Sequence, residues 1–314
     1  MNNTVPVLIT CDIDPTPEVT IADKQKALDL TLDLFDNFMI KATFFTVADV
    51  ISHYPDQVRQ LLNQEHEIGC HGLSHDLEED YSQMPLTVQR ENLTRATAKL
   101  EDTTGNEIRS FRGPMVKTSH ITQKVLEELD YYVDSSVCSQ RMDLISSNHI
   151  NPGWLFAPRL PYRPSDKSAF KRGERNLVVV PVSALILPFI SGVLYTLGTT
   201  LMKRLFDTLY FESKQNGKPI VYLMHPVEFA HHNNSKQRIA MKGLSFRRKL
   251  KLKIDEYKRY TYSKTLFEYI SSFQDVQFMT MSSYIRSNNF VQQSVTNSLG
   301  KQNNSMFLNQ LCLV

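Results

Sequence analysis

Short apolar runs alternate with segments of helical periodicity along most of the sequence. The run Val5 to Asp12 is rich in β-branched residues and predicts a buried strand. A helix is then predicted to begin at Thr20-x-x-Asp23, which resembles a capping box. The apolar side of that helix carries four residues: Ala27, Leu30, Leu34 and Phe38.

The same alternation of strand and helix continues to Thr280. Further strands are predicted at Ala42–Val47, Glu67–Cys70, Ser110–Arg112, Tyr131–Asp134, Leu177–Val182, Pro219–His225 and Val276–Thr280. Helices are predicted between several of these strands, at Pro55–Gln64, Pro85–Thr104 and Ser119–Leu129. The pattern favours an α/β fold in which helices cover a parallel sheet. Seven or eight such units indicate a closed or distorted barrel rather than an open sheet.

One barrel domain is predicted, over residues 1–286. A chain of 314 residues is a normal length for one α/β barrel, and the sequence contains no internal repeat. From Ser287 onward the sequence is rich in Asn, Gln and Ser, which predicts a polar and mostly disordered tail over residues 287–314.

Composition and charge narrow the classes of function. The net charge of +2, with acids and bases mixed along most of the chain, gives no reason to expect a nucleic-acid partner. The N-terminus lacks the basic and apolar regions of a signal peptide. Four cysteines without disulfide or metal spacing are expected to be free thiols in a reducing, cytoplasmic compartment: Cys11, Cys70, Cys138 and Cys312. The oligomeric state stays open.

Two polar motifs follow predicted strands, at the edge where a barrel of parallel strands carries its active site. Asp12 and Asp14 point the same way on an extended chain, and the spacing of His71 and His75 lets both imidazoles bind one metal ion. Taken alone, each motif is more common as a turn, a cap or a pair of surface histidines. Together, Asp14, His71 and His75 form a candidate three-ligand site for a divalent metal. Asp12 is then left as a candidate general base.

Three more polar residues end predicted strands. A buried Arg112 would pair with a carboxylate and hold it ionised, and Asp134 would extend that ion pair. His225 leaves an apolar strand at the barrel mouth, where a histidine can act as a general acid. A surface arginine before a turn and a structural histidine are the alternatives for Arg112 and His225 when each is taken singly.

Five segments of the chain resemble, in order and approximate spacing, the motifs of the polysaccharide deacetylase (NodB-homology) family: Val7–Asp14, Glu67–His75, Phe111–Pro114, Val133–Val137 and Leu223–Glu228. The resemblance covers about residues 5 to 285. It implies a distorted (β/α) barrel and a bound divalent metal, commonly zinc.

The resemblance also implies a role for each site residue. Asp12 is the expected base, and the metal ligands are Asp14, His71 and His75. Arg112 is expected to orient Asp12, His225 to protonate the leaving amine, and a backbone N–H beside Pro114 and Met115 to bind the oxyanion.

The sequence departs from the family pattern at three positions. Gly72 stands where Ser or Thr is common, Met115 where Tyr is common, and Cys138 where Trp is common. The last difference leaves the leaving-group pocket without its usual wall, and Trp154 is a candidate substitute.

The expected activity is removal of an acetyl or formyl group from the nitrogen of an amino sugar, either lipid-linked or part of a glycan. The first alternative is a hydrolase of small cyclic or linear amides on the same scaffold. The second alternative is a non-catalytic barrel that binds a carbohydrate or a lipid. The intact set of candidate residues argues against that second alternative.

Two segments bear on a peripheral contact with the inner membrane surface. Leu177 to Met202 contains no charged residue, but prolines and glycines interrupt it, and we do not expect it to span a membrane. Its second half has helical spacing at Val193, Leu197, Leu201, Leu205 and Leu209. Lys236 to Tyr260 contains ten basic residues and two acids, a density that suits anionic lipid or phosphate, although a solvated helix face is the usual meaning of such a run.

Overall fold

The computed structural model describes residues 4–141, 151–231, 254–288 and 290. Its strands are β1 Val5–Ile13, β2 Ala42–Thr46, β3 Glu67–Cys70, β4 Ser110–Phe111, β5 Val133–Asp134, β6 Pro164–Ser165, β7 Ser168–Arg172, β8 Val178–Val179, β9 Ala184–Leu185, β10 Leu187–Pro188, β11 Ile220–Met224 and β12 Val276–Phe278. Its α-helices are α1 Ile21–Asn37, α2 Pro55–Asn63, α3 Leu86–Thr104, α4 His120–Glu128, α5 Gly153–Phe156, α6 Ser191–Leu197, α7 Thr199–Asn216, α8 Glu256–Ser271 and α9 Met281–Ser287.

A curved parallel sheet forms the centre of the molecule. Its strand order is β11-β1-β2-β3-β4-β5-β8, and β12 also pairs with β1. Beyond β8, the Ser183 amide donates to the Val221 carbonyl (3.1 Å), and the Leu223 amide donates to the Phe189 carbonyl (3.3 Å), so the two ends of the sheet are bridged. The fold is a distorted (β/α) barrel, as the sequence predicted.

Burial on both faces explains why the strands are apolar runs. Every residue of β2 and β11 is buried, and β1 is buried along nearly its whole length. Helices α1, α3 and α7 present their apolar sides to the sheet. Because β1 lies between β11 and β2, the residues that follow it emerge at the centre of one barrel end.

The predicted apolar side of α1 is partly wrong. Thr20 caps the helix as expected and accepts a hydrogen bond from the Asp23 amide. However, Leu30 is 42% exposed, and the helix buries Leu28 and Leu32 instead. Besides β2, the turn Pro226–Phe229 packs against α1, so the buried face of the helix is wider than the four-residue stripe.

The apolar segment Leu177–Met202 does not contain the single helical stripe that its spacing predicted. Gly198, at φ 85°, separates α6 from α7 and changes the helical phase. Leu197 and Leu201 are therefore more than a third exposed, and α7 buries Met202, Phe206 and Leu209. Among the described helices, none is both long and apolar enough to cross a membrane.

Two predicted segments fall largely outside the described residues. The basic run Lys236–Tyr260 is described only from residue 254 onward, where α8 begins at Glu256. The predicted tail, 287–314, is described only at residues 287, 288 and 290. The three described cysteines, Cys11, Cys70 and Cys138, are buried and form no disulfide.

Candidate active site

The carboxyl ends of β1 and β3 bring the two polar motifs together. Asp14 directly follows β1, and His71 directly follows β3. The Nε2 atoms of His71 and His75 lie 3.3 Å and 3.8 Å from Asp14 Oδ1. The ligand atoms of the three side chains all lie within 4.8 Å of one another, so one ion can contact all three.

Two observations indicate that these residues fit a divalent metal. His71 Nδ1–H donates to the Arg112 carbonyl at 2.7 Å, which leaves the Nε2 lone pair directed toward Asp14. Asp14 Oδ1 is buried and has no hydrogen-bond partner of acceptable geometry in the described part of the chain. A buried carboxylate oxygen without a donor is costly unless a cation completes its environment.

The charges around Asp14 favour its ionised form. Burial raises the pKa of this carboxyl, but its interactions with the imidazoles of His71, His225 and His75 outweigh burial. The pKa of Asp14 is therefore held well below its usual range. An ionised carboxylate beside imidazole nitrogens is the donor set that borderline metals such as zinc prefer.

Asp12 is held by Arg112 at the floor of the site. Arg112 Nη1 donates to Asp12 Oδ1 at 2.8 Å and to Thr10 Oγ1 at 2.9 Å, and the guanidinium is completely buried. The second oxygen, Asp12 Oδ2, lies 3.9 Å from His71 Nε2. One carboxylate oxygen is thus fixed by the arginine, and the other faces the metal-ligand group.

The predicted ion pair between Arg112 and Asp134 is wrong. The remaining donors of Arg112 bind the carbonyl and hydroxyl of Ser135. Asp134 accepts hydrogen bonds from Thr118 and Gln123 instead, and burial raises the pKa of this carboxyl. Neighbouring residues of a strand point to opposite faces, so Ser135 can face Arg112 only if Asp134 does not. Among the described contacts, Asp134 has a packing role and does not reach the site.

His225 lies opposite the two metal-binding histidines. It follows β11, and its Nε2 is 3.7 Å from Asp14 Oδ2. Its Nδ1 is 3.9 Å from Glu228 Oε1, and the second oxygen of Glu228 accepts from the His225 amide at 3.2 Å. Glu228 therefore holds the backbone of His225 and places a carboxylate near its imidazole. Glu228 lies within the Leu223–Glu228 motif, but this role was not predicted from the sequence.

The turn at Pro114 and Met115 forms one wall of the site. Met115 (φ 57°) and Val116 (φ 58°) are both left-handed, a costly conformation that is often found at functional sites. Gly113 permits the turn, because a Cβ there would lie 1.9 Å from the Lys117 carbonyl oxygen. The result places Met115 beside the candidate metal ligands.

The catalytic cavity has a volume of about 270 Å³. Its polar side carries the residues described above: Asp12, Asp14, His71, His75, His225 and Glu228. Its apolar side includes Met115, Val182 and Leu223, and Cys138 occupies the wall where the family has Trp. Trp154 borders a neighbouring groove rather than this cavity, so the proposed substitution of Trp154 for the missing wall is not supported.

Glu79 organises the segment from His71 to His75, which we call the histidine loop. This residue was not identified from the sequence. Its buried carboxylate accepts from the amides of Leu73 (2.7 Å), Ser74 (2.8 Å) and His75 (2.6 Å). The Tyr81 hydroxyl donates to it as well, at 2.8 Å. Gly72 complements this arrangement, since its φ is 81° and a Cβ there would lie 2.9 Å from Glu79 Oε1. A carboxylate four residues after a His-x-x-x-His motif is the only sequence signal that could have found it.

Comparison with known proteins agrees with the sequence resemblance. Residues 3–133 match the family model described as polysaccharide deacetylase. The peptidoglycan deacetylase of Helicobacter pylori is 26% identical over 108 residues, which is 34% of this chain and 35% of that protein. The match therefore spans about a third of the length of this relative.

Solved structures resemble almost the whole chain. A Mycobacterium smegmatis structure assigned to the polysaccharide deacetylases has a TM-score of 0.61 at 17% identity and covers 92% of each chain. An allantoinase structure, Puue, has a TM-score of 0.59 at 17% identity and covers 91% of each chain. At these identities the similarity establishes the distorted barrel fold.

Proposed function

We propose that this chain is a metal-dependent hydrolase that removes a short N-acyl group from an amino sugar, because residues 3–133 match the family model described as polysaccharide deacetylase. One observation carries the proposal above the others. Three potential metal ligands converge at the barrel mouth, and a second carboxylate, Asp12, is held beside them by a buried arginine. A structural metal site would not need this additional oriented carboxylate.

Asp14, His71 and His75 would hold the divalent metal, for which zinc is the expected ion. When bound, such an ion supplies Lewis acidity at the acyl carbonyl and lowers the pKa of a water molecule. The His71 hydrogen bond to the Arg112 carbonyl keeps this imidazole in the tautomer that binding requires. The metal ligands and the proposed base are thus connected through Arg112.

Asp12 acts as the general base in this proposal. Its Oδ1 is held by Arg112, so Oδ2 is the oxygen that accepts a proton from water. His225, held by Glu228, donates a proton to the leaving amine nitrogen from the opposite side of the cavity. The Met115 backbone N–H, in the strained turn after Pro114, is the proposed donor to the tetrahedral oxyanion.

The cavity dimensions support a short acyl group. A volume of about 270 Å³ lies just below the range of about 300–1,000 Å³ that is typical of ligand pockets. The apolar wall of Met115, Val182 and Leu223 suits a methyl group better than a charged one. We therefore propose acetyl or formyl as the group removed.

The test is hydrolysis by the purified, zinc-loaded chain. N-Acetylglucosamine, its linear oligomers and the cyclic ureide allantoin are offered separately, and released acetate or ring-opened product is measured. Acetate released by the native chain, and not by a His225→Ala variant, supports the proposal. Ring opening of allantoin without release of acetate would overturn it in favour of a cyclic amide hydrolase.

That second candidate function is supported by the similarity to the allantoinase structure. The His71-Gly72-x-x-His75 form is compatible with both activities. The amino-sugar proposal has the additional support of the family match over residues 3–133. A non-catalytic barrel is disfavoured because nothing in such a protein requires Asp12, Arg112 and His225 to surround a metal-ligand group.

A further inference from the structure

Residues 113–117, which we call the Met115 turn, adopt a conformation that their own sequence does not favour. Met115 and Val116 are both left-handed, at φ 57° and 58°, and Val116 is β-branched, a class of residue for which this region is a genuine outlier. Such a conformation persists only where the surrounding structure holds it in place. The contacts at the two ends of the turn therefore determine where the Met115 N–H lies.

The Met115 turn is held at both ends. At its start, the Gly113 amide donates to Ser136 Oγ at 2.8 Å. At its end, Lys117 Nζ donates to Asp80 Oδ2 at 2.5 Å, and both of these side chains are mostly buried. Asp80 belongs to the loop before α3. This ion pair, which we call the clamp, thus joins two segments that lie 37 residues apart in the sequence.

Asp80 is itself fixed in the direction that the clamp requires. Its other oxygen, Oδ1, accepts from the amide (2.9 Å) and the hydroxyl (2.6 Å) of Ser82, which leaves Oδ2 to face Lys117. Burial disfavours the charged carboxyl, but the hydrogen bonds from Lys117 and Ser82 hold the pKa of Asp80 below its usual range. Asp80 is therefore ionised at neutral pH and oriented toward Lys117.

The residue before Asp80 controls the metal ligands. Glu79 accepts from three backbone amides of the histidine loop, including that of the candidate ligand His75 at 2.6 Å. Because Glu79 and Asp80 are adjacent, only one peptide unit separates the carboxylate that sets the histidine loop from the carboxylate that holds the Met115 turn. The two parts of the site are thus mechanically connected.

The residue after Asp80 contacts the segment that follows the turn. The Tyr81 carbonyl accepts from Ser119 Oγ at 3.0 Å and from Thr122 Oγ1 at 2.7 Å, where α4 begins. These two hydrogen bonds attach the loop before α3 to α4 independently of the clamp. Loss of the clamp alone should therefore loosen the Met115 turn without unfolding the loop.

We propose that Asp80 and Lys117 are positioning residues for the reaction, because the clamp holds the Met115 N–H at a fixed distance from the metal ligands. The two parts of the site can then act on the same carbonyl group. This inference rests on the proposed function and assigns to it two residues that do not line the catalytic cavity. Neither side chain touches the reacting atoms, so its effect is transmitted through the backbone of the turn and through Glu79.

Lys117→Met tests the clamp by removing the charge while keeping most of the side-chain length. Acetate released from the linear trimer of N-acetylglucosamine by the zinc-loaded chain is measured. The oxyanion forms only in the transition state, so a displaced Met115 N–H should lower kcat and leave KM unchanged. We expect kcat to fall about tenfold, less than the loss of about 10²–10³ that follows removal of an oxyanion donor. Zinc affinity should stay native, because Glu79 still binds the histidine loop.

Further variants distinguish positioning from general stability. Lys117→Arg can still pair with Asp80 and should recover most of the lost kcat. Asp80→Asn should lower kcat as Lys117→Met does, and the double variant should be no slower than either single one, because both remove the same contact. Lys214→Met is the matched control, since Lys214 pairs with Asp275 at similar exposure, directly before β12 and at the opposite end of the strands. An equal fall in kcat for Lys214→Met, or additive effects in the double variant, would overturn the proposal.

Hydrogen exchange separates this proposal from the proposed function. The Val116 amide donates to the Gly113 carbonyl at 2.9 Å and the Lys117 amide to the Pro114 carbonyl at 3.1 Å, so both amides report on the turn. Asp80→Asn, a change in the other segment, should accelerate their exchange. Unchanged exchange at these two amides would overturn the clamp even if acetate is released. Faster exchange, with no acetate released by the native chain, would instead overturn the proposed hydrolysis and leave the connection between the two segments intact.

Discussion

Asp12 and His71 each have two polar side-chain atoms, and the partner of one atom fixes the direction of the other. Arg112 engages one oxygen of Asp12, and the Arg112 carbonyl engages one nitrogen of His71. In each case the remaining oxygen or nitrogen is directed toward the place where metal and substrate would meet. A substitution that preserves shape but removes one function is therefore the most informative change at this scale.

Asp12→Asn separates the base from the metal ligands. Asparagine keeps the side-chain size but cannot accept the water proton, so kcat should fall by about two to four orders of magnitude. Zinc content, measured by elemental analysis, should remain at one ion per chain. Asp49→Asn, at a carboxylate that is 48% exposed and pairs with Lys99, is the control and should leave both quantities unchanged. Near-native turnover of Asp12→Asn with metal bound would refute the role of Asp12.

Glu79→Gln tests whether the histidine loop is set by one buried carboxylate. Glutamine retains one acceptor oxygen and brings an NH₂ group toward amides that also donate, so the loop should lose its fixed geometry. We expect zinc affinity to fall about 10- to 100-fold, as is typical when a group that orients metal ligands is changed. Competition with a fluorescent chelator measures the zinc affinity of the variant and of the native protein.

Glu78→Gln is the matched control, because Glu78 is the exposed neighbour of Glu79. If Glu79→Gln lowered the unfolding temperature of the metal-free protein but left zinc affinity unchanged, Glu79 would be a structural residue only.

The residues that could be predicted from sequence are those that act through their own side chains at strand ends. Asp12, Asp14, His71 and His75 stand in spacings that the chemistry itself dictates. Glu79 acts on backbone amides, which every residue has, so its partners leave no trace in the sequence. Asp134 was mistaken for a partner of Arg112 because the sequence predicts where β5 ends but not which face of the strand is turned toward Arg112.

At the scale of elements, the positions of the strands and helices agree closely with those predicted from the apolar pattern. The faces that these elements bury agree less well. The ends of β3 agree with the prediction, and α3 begins and ends within one residue of it. The pattern failed where one glycine resets the helical phase, at Gly198 between α6 and α7. A stripe at helical spacing is evidence for a buried face only if the helix is continuous.

The turn after β4 is expected to tolerate no side chain at Gly113. A Cβ at this position would lie 1.9 Å from the Lys117 carbonyl oxygen, so Gly113→Ala forces the backbone apart. We expect the free energy of unfolding in urea to fall by about 3 kcal/mol or more, in the range of severe steric substitutions. Activity should fall with it, because Met115 lies in the same turn.

Gly105→Ala provides the comparison for Gly113→Ala. Gly105 has φ 68° at the end of α3, and nothing lies within 4 Å of an added Cβ. Its substitution should cost only about 1–2 kcal/mol, the cost of a left-handed conformation. Equal losses for the two variants would contradict the steric explanation.

At the scale of the whole molecule, the barrel was predictable because strand and helix periods are local properties of the sequence. The groove that Trp154 borders was not predictable, since it joins the loop before α3 to the β6–β7 hairpin, which lies far along the chain. Local patterns contain no information on which loops meet. The catalytic residues could be predicted to lie together, because the carboxyl ends of parallel strands necessarily lie at the same end of a barrel.

Peripheral membrane binding stays a prediction from charge. The run Lys236–Tyr260 holds ten basic residues, and each one near an anionic surface contributes about 1 kcal/mol. Sedimentation with vesicles of anionic lipid should therefore retain the protein at low salt and release it at high salt. Charge reversal at Arg247, Arg248 and Lys249 should weaken the binding. Protein that stays in the supernatant at low salt would rule out this contact and leave the proposed hydrolysis intact.

The dependence of acetate release on added zinc tests the central claim most directly. The protein is stripped with a chelator, zinc is returned in fractions of an equivalent, and acetate released from the linear trimer of N-acetylglucosamine is measured at each step. We expect the rate to rise to a plateau at one equivalent per chain. The His75→Ala variant should stay near the baseline over the same range, because it lacks one of the three ligands. A stripped protein that hydrolyses the trimer at the full rate, or a His75→Ala variant with the native zinc dependence, would contradict a metal-dependent deacylase built on Asp14, His71 and His75.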